Sequence, residues 1–182
     1  MPPSPQLVIQ QTESWIEDVV IGLNLCPFAA SVFEAKRIAY QVVKGSDTAL
    51  HLQQLADSFT ELDTSENTET SLLIFPESYR DFDDYLDFLE ISNRLLEELN
   101  YDGTYQLASF HPDYLFDGST EDDASNFSNR SPYPMLHLLR ESSIQRAVSS
   151  YDDIEQVPEN NIRKLREIGV EEMQQILNRI LS

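Results

Sequence analysis

The stretch FSNRSPYPMLHLLRE, residues 127–141, marks where the sheet of this chain gives way to its C-terminal helices. Pro134 suits the first turn of a helix, where a missing N–H costs nothing, so PYPMLHLLRESSIQRAVSS reads as a helix that starts there. In such a helix His137, Arg140 and Glu141 fall at i, i+3 and i+4 on one face, with Leu136, Leu139 and Ile144 on another. The stretch is also a charge anomaly. Residues 45–129 hold twenty Asp or Glu against Arg80 and Arg94, whereas residues 130–149 hold Arg130, Arg140 and Arg146 against Glu141 alone.

The strands are read upstream, each from its own residues. RIAYQVV (37–43) is a β-branched and aromatic run closed by Gly45, Ser46 and Asp47. Leu52, Leu55, Ala56, Phe59 and Leu62 follow at helical spacing, and SLLIF (71–75) is a second strand. A helix over 81–99 carries Phe82, Tyr85, Leu86, Leu89 and Leu96 inward and ends near Asn100 and Gly103, before the strand YQLAS (105–109). Each strand pair is joined by a helical crossover, as parallel strands require. The expected fold is therefore α/β: a small, parallel three-stranded sheet with helical crossovers, a long functional loop over 110–133, and C-terminal helices.

Further out, Ser4 and Pro5 open an N-terminal helix that should stop at Gly22, and LNLCPFAA is a turn. NNIRKLREIGVEEMQQILNRIL is two short helices meeting at Gly169, or one helix kinked there. One domain is expected over 1–182, with a core over about 5–151 and a helical segment over 158–181.

An apolar content of 41% places the chain in the globular class despite a formal charge of -20. Such a surface repels phosphate backbones, so nucleic acid and anionic membranes are excluded as expected partners. Cys26, the single cysteine, cannot close an intrachain disulfide, and no signal-like or membrane-spanning run is present. The expectation is a cytoplasmic protein.

Parallel sheets place ligands beyond the carboxyl ends of their strands, where Lys44, Glu77 and His111 emerge. His111 either serves there as an acid–base group or caps the strand and hydrogen-bonds the long loop. His137, Glu141, His111 and one of Asp122 or Asp123 would make a metal set, although no spacing matches a closed zinc site. The guanidinium forks of Arg130 and Arg140, beside Asn126 and Asn129, suit a small anion. Equally, they could pair internally with the acids at 121–123 and pin the loop. Cys26 is a nucleophile candidate with a histidine base, but a cysteine between leucine and proline is more often a small buried hydrophobe. His51 reads as a surface or packing residue.

The segments VIGLNLCPFA (20–29), ETSLLIFP (69–76), ASFHPDYLFDG (108–118) and DDASNFSNRSPYPMLHLLRE (122–141) resemble, in that order, the bacterial domain-of-unknown-function family 1415. The resemblance runs from about Trp15 to Arg179 and implies fold membership and signature positions rather than a reaction. Those positions are Asn24, Cys26, Pro27, His111, Pro112, Asp123, Asn126, Asn129, Arg130, Ser131, Pro132, His137, Arg140 and Glu141.

Two functions are carried forward. One is an enzyme acting on a small anionic metabolite through a pocket at the sheet edge. His111, His137 and Glu141 would be catalytic there, and Arg130, Arg140, Asn126, Asn129 and Ser131 would bind substrate, with or without a metal; no cofactor is identified. Cys26, Asn24 and Asp123 are further candidates. The other is a ligand-sensing or protein-binding module in which the same residues form a polar staple.

Overall fold

The computed structural model describes residues 2–151 and 153–182. Ser4 accepts a hydrogen bond from the Leu7 N–H at 3.2 Å and caps α1 (Pro5–Trp15), with Pro5 in its first turn. α1 widens into a π-helix over Ile16–Ile21. Its i→i+5 bonds run from the Gly22 N–H to the Glu17 carbonyl and from the Leu25 N–H to the Val20 carbonyl, both at 2.9 Å. The expected stop at Gly22 is therefore real, and it is a π-helical end.

The three expected strands form: β1 (Ile38–Val42), β2 (Thr70–Ile74) and β3 (Tyr105–Phe110). Between them lie α3 (Thr48–Thr64) and α4 (Phe82–Glu98), capped by the carboxylates of Asp47 and Asp81; the short α2 (Ala29–Glu34) precedes β1. β1 pairs with β2 in parallel, as expected.

The expectation fails at residue 135. Met135–Arg140 is a fourth strand, β4, inserted antiparallel between β2 and β3, so the sheet is mixed with the order β1-β2-β4-β3. The three expected strands still point the same way, because β2 and β3 each run antiparallel to β4. The helix expected from Pro134 begins only at Glu141, as α5 (Glu141–Ser150). The physical reason is burial. A central strand covered on both faces is a nearly continuous apolar run with no two-residue alternation, and Met-Leu-x-Leu-Leu fits a helix equally well. Pro134 does not interrupt the ladder: it needs no N–H there, and its carbonyl accepts from the Phe75 N–H at 2.9 Å.

Helices cover both faces of the sheet. On one, Leu72, Ile74 and Met135 meet Val8, Trp15 and Val19, together with Leu165 of α6 (Val157–Ile168) and Met173 and Leu177 of α7 (Val170–Leu181). On the other, Leu73, Leu136 and Leu138 meet Leu55 and Phe59 of α3 and Tyr85 and Phe88 of α4. Each fully buried Leu or Phe contributes about 1.5–3 kcal/mol of transfer free energy. α6 and α7 meet at Gly169, whose φ of 88° lies in the region that favours glycine. No helix among the described residues is long and apolar enough to cross a membrane.

Candidate functional site

β3 delivers His111 just past its last residue, and the side chain is fully buried. Its Nε2–H donates to the Tyr79 carbonyl at 2.9 Å, and its Nδ1 accepts from the Asp113 N–H at 3.0 Å, which fixes a neutral tautomer. The ring packs against Phe82 and Tyr85, each at a centroid distance of 5.1 Å. Burial lowers its pKa, with the Tyr79 carbonyl and the Asp113 and Asp81 carboxylates pulling the other way. Both ring nitrogens are committed. Of the two roles open to His111, strand cap and loop anchor is the one its contacts match.

Tyr79, which sequence reasoning passed over, joins two buried histidines. Its backbone is left-handed (φ 56°), its hydroxyl lies 2.7 Å from His51 Nδ1, and its ring stacks on Phe88 at 4.1 Å. His51 is accordingly a packing residue, buried against Phe75, Tyr79 and Phe88. The only signal in the sequence is a tyrosine in the turn SYRD ahead of a helix cap.

His137 sits on β4 opposite Leu72 and Ala108 and projects from the face that carries Leu72 and Met135. Thr70 gives its hydroxyl proton to the Leu138 carbonyl at 2.5 Å, so His137 Nε2 donates to Thr70 Oγ1 at 2.7 Å. Desolvation lowers the His137 pKa to about 4. His111, by contrast, packs on the α4 side. The two imidazoles thus occupy opposite faces of the sheet, and the shared pocket expected of them is not formed. The expected helical face of His137, Arg140 and Glu141 is likewise absent. His137 and Arg140 point to opposite sides of a strand, and Glu141 opens α5 with its N–H on the Thr104 carbonyl at 2.9 Å. Among the described residues no group of three or more His, Cys, Asp or Glu side chains could hold a metal ion, so the set of His111, His137 and an acid from 122–123 does not assemble.

The arginines of the positive island are spread over three places. Arg130 donates from Nε to the Tyr114 carbonyl and from Nη2 to the Glu121 carbonyl, both at 3.1 Å, over the face of Phe127. Arg140 Nη2 donates to the carbonyls of Leu62 at 2.5 Å, Ser65 at 3.4 Å and Thr68 at 3.1 Å, closing the C-terminal end of α3. Arg146 reaches Glu69. Internal pairing holds, but the partners are mostly backbone carbonyls rather than the acids at 121–123.

Asn126, fully buried, accepts from the Phe116 N–H and the Ser119 hydroxyl at 3.1 Å and donates to the Thr120 carbonyl at 2.8 Å. Asn129 donates to the Ser109 carbonyl at 3.0 Å, and Ser131 to the Tyr133 carbonyl at 2.6 Å. Asp123 caps the 3-10 turn Ala124–Ser128 and takes both Nε and Nη2 of Arg166, at 3.0 and 2.6 Å, which holds its carboxyl far below the usual range. The long loop is therefore stapled to itself, to β3 and to α6.

The LNLCPF turn makes a second polar region. Asn24 is left-handed (φ 51°), and Cys26 is exposed rather than buried. α6 holds the turn from below: Asn161 donates to the Leu25 carbonyl at 2.8 Å and Lys164 to the Leu23 carbonyl at 2.6 Å. Between turn and helix opens a cleft of about 610 Å³, lined by Asn24, Tyr151, Asn160, Arg163, Lys164 and Glu167 among others. It is of ligand size, and its lining is polar. Among the expected site residues only Asn24 lines it; the α6 residues were not singled out from the sequence, where they read as the solvated side of an amphipathic helix.

The model of a family described as "Protein of unknown function (DUF1415)" matches residues 7–175. No curated protein and no solved structure matches the chain.

Proposed function

We propose that this chain, which belongs to the DUF1415 family, is a small-molecule binding module. Its histidine, arginine and asparagine motif is the internal framework, and its ligand face is the cleft between residues 23–27 and α6. The observation that carries this reading is the commitment of His111 and of the motif's asparagine and arginine groups. Both nitrogens of His111, the amide of Asn126 and the forks of Arg130 and Arg140 are bonded within the chain. An acid–base catalyst needs at least one such atom within reach of a substrate proton. The cleft, in contrast, exposes amides and charged groups around a volume that a metabolite would fill.

The test is a metabolite panel read in two ways, by thermal shift and by mass spectrometry of the recovered compound. A ligand present at about 100 times its Kd should stabilise the fold by about 2.7 kcal/mol and return unchanged. Arg163→Ala should weaken that response. Turnover that disappears in a folded His111→Asn variant would replace the binding module with an enzyme.

A further inference from the structure

Resting on that binding reading, we infer that the cleft takes a zwitterion of the α-amino acid type, its carboxylate on Arg163 and Lys164 and its ammonium on Glu167. Asn160, Arg163, Lys164 and Glu167 stand at i, i+3, i+4 and i+7 on α6, one stripe along the cleft wall. Ion pairs among the described residues join Arg37 and Arg146 to Glu69, Arg94 to Glu90, and Arg166 to Asp123. Arg163, Lys164 and Glu167 take part in none of them. Arg163 spends one N–H on Asn160 Oδ1 at 2.9 Å, and Lys164 spends one of its protons on the Leu23 carbonyl. Free N–H groups remain on both. Among the described residues neither base has a carboxylate partner, and both line the cleft.

Charge selects the ligand class. A simple anion drawn to Arg163 and Lys164 would also meet Glu167 and Asp153 in the same cleft, and a simple cation would meet the two bases. A molecule carrying both signs meets each group with its opposite. Arg163 and Glu167 are one helical turn apart, about 6 Å along the axis. An α-amino acid, whose charges are a few ångströms apart, can bridge heads at that separation with one hydrogen bond at each end. The amides of Asn24 and Asn160 remain for its side chain or its second carboxylate oxygen.

The experiment uses the full chain in a thermal-shift panel, with calorimetry on each hit. The panel contains the α-amino acids, their N-acetyl derivatives, which keep only the carboxylate, their methyl esters, which keep only the ammonium, and acetate, succinate and inorganic phosphate. At least one free amino acid should bind, and its N-acetyl and ester forms should bind roughly tenfold more weakly or worse. Glu167→Gln and Arg163→Ala, both at exposed positions, should each cause a similar loss without lowering the melting temperature of the free protein. If an N-acetyl derivative binds as well as its parent, or if only the simple anions bind in an Arg163-dependent way, the zwitterion assignment falls and the binding module stands. If nothing in this panel or in the wider metabolite panel binds, both fall.

Discussion

The Nε2–H of His111 and the carbonyl of Tyr79, 2.9 Å apart, tie the start of the long loop to the turn that follows β2. The same imidazole holds the Asp113 N–H, so one fully buried side chain pairs two backbone groups. Tyr79, kept left-handed between His51 and His111, stores backbone strain of order 1–3 kcal/mol that these bonds hold in place.

His111→Ala should therefore act on the fold. It removes the partner of the Tyr79 carbonyl and of the Asp113 N–H, at about 0.5–1.5 kcal/mol each, and opens a cavity between Phe82 and Tyr85 that adds about 2 kcal/mol or more. Urea denaturation should show a loss of about 3 kcal/mol or more. A melting temperature close to that of the parent would mean that His111 faces a ligand instead.

The two sheet-side histidines set a pH response. Burial keeps His111 and His137 neutral in the fold with pKa values below 6.5, that of His137 near 4. In the unfolded chain both protonate below about pH 6.5. As pH falls from there the unfolded state binds protons that the folded state refuses, so stability drops, by at most about 1.4 kcal/mol per pH unit for each group. For His137 the drop ends near pH 4. His137→Leu leaves Thr70 bonded to the Leu138 carbonyl and should flatten the slope of stability between pH 6.5 and 4 relative to the parent. An unchanged slope would show that His137 is protonated in the fold.

Much of the fold was legible because its signals are local. Ser4–Pro5, Asp47 and Asp81 announce helix starts, and RIAYQVV, SLLIF and YQLAS carry β-branched or aromatic strand character. β4 was illegible because its identity is tertiary. Leu136 and Leu138 face one helical layer and Met135 the other, so nothing in the local pattern distinguishes a strand from a helix. That misassignment propagated to the site, since helical geometry would have gathered His137, Arg140 and Glu141 where strand geometry separates them. The pinning of the long loop was half visible. Arginine forks among acids suggested internal pairing, but carbonyl acceptors have no residue type and cannot be read from a sequence.

Gly22 is required for a steric reason. Its φ of -58° is ordinary, but a Cβ there would lie 2.4 Å from the Asp18 carbonyl oxygen and 3.1 Å from that of Glu17, both fixed backbone atoms of the π-helix. Gly22→Ala should cost about 1–3 kcal/mol, and because the π-helical turn carries Leu23 and Leu25 onto α6, it should also speed amide exchange over residues 22–28. Wild-type exchange in that segment, with stability unaltered, would show that the turn tolerates an α-helical repacking.

Arg140 separates geometry from charge. Its Nη2 serves the Leu62 carbonyl in the last turn of α3 and the Ser65 and Thr68 carbonyls beyond it, while Nη1 reaches the Tyr105 hydroxyl at 3.3 Å, and Tyr105 in turn shares Asp63 with Tyr101 at 2.6 Å each. A lysine carries the same charge but only a single donor head, which cannot reach the carbonyls and the hydroxyl from one position. Arg140→Lys should lose about 1.5–3 kcal/mol, and Arg140→Ala no less. If lysine restores nearly all of the stability that alanine removes, the favourable contact is charge against the helix end, and the fork contributes little. If lysine behaves like alanine, the fork itself holds β4 to α3. That second outcome is the expected one, since the fork spans the Leu62 and Thr68 carbonyls through Nη2 and the Tyr105 hydroxyl through Nη1, and a lysine head reaches only one of the two sides.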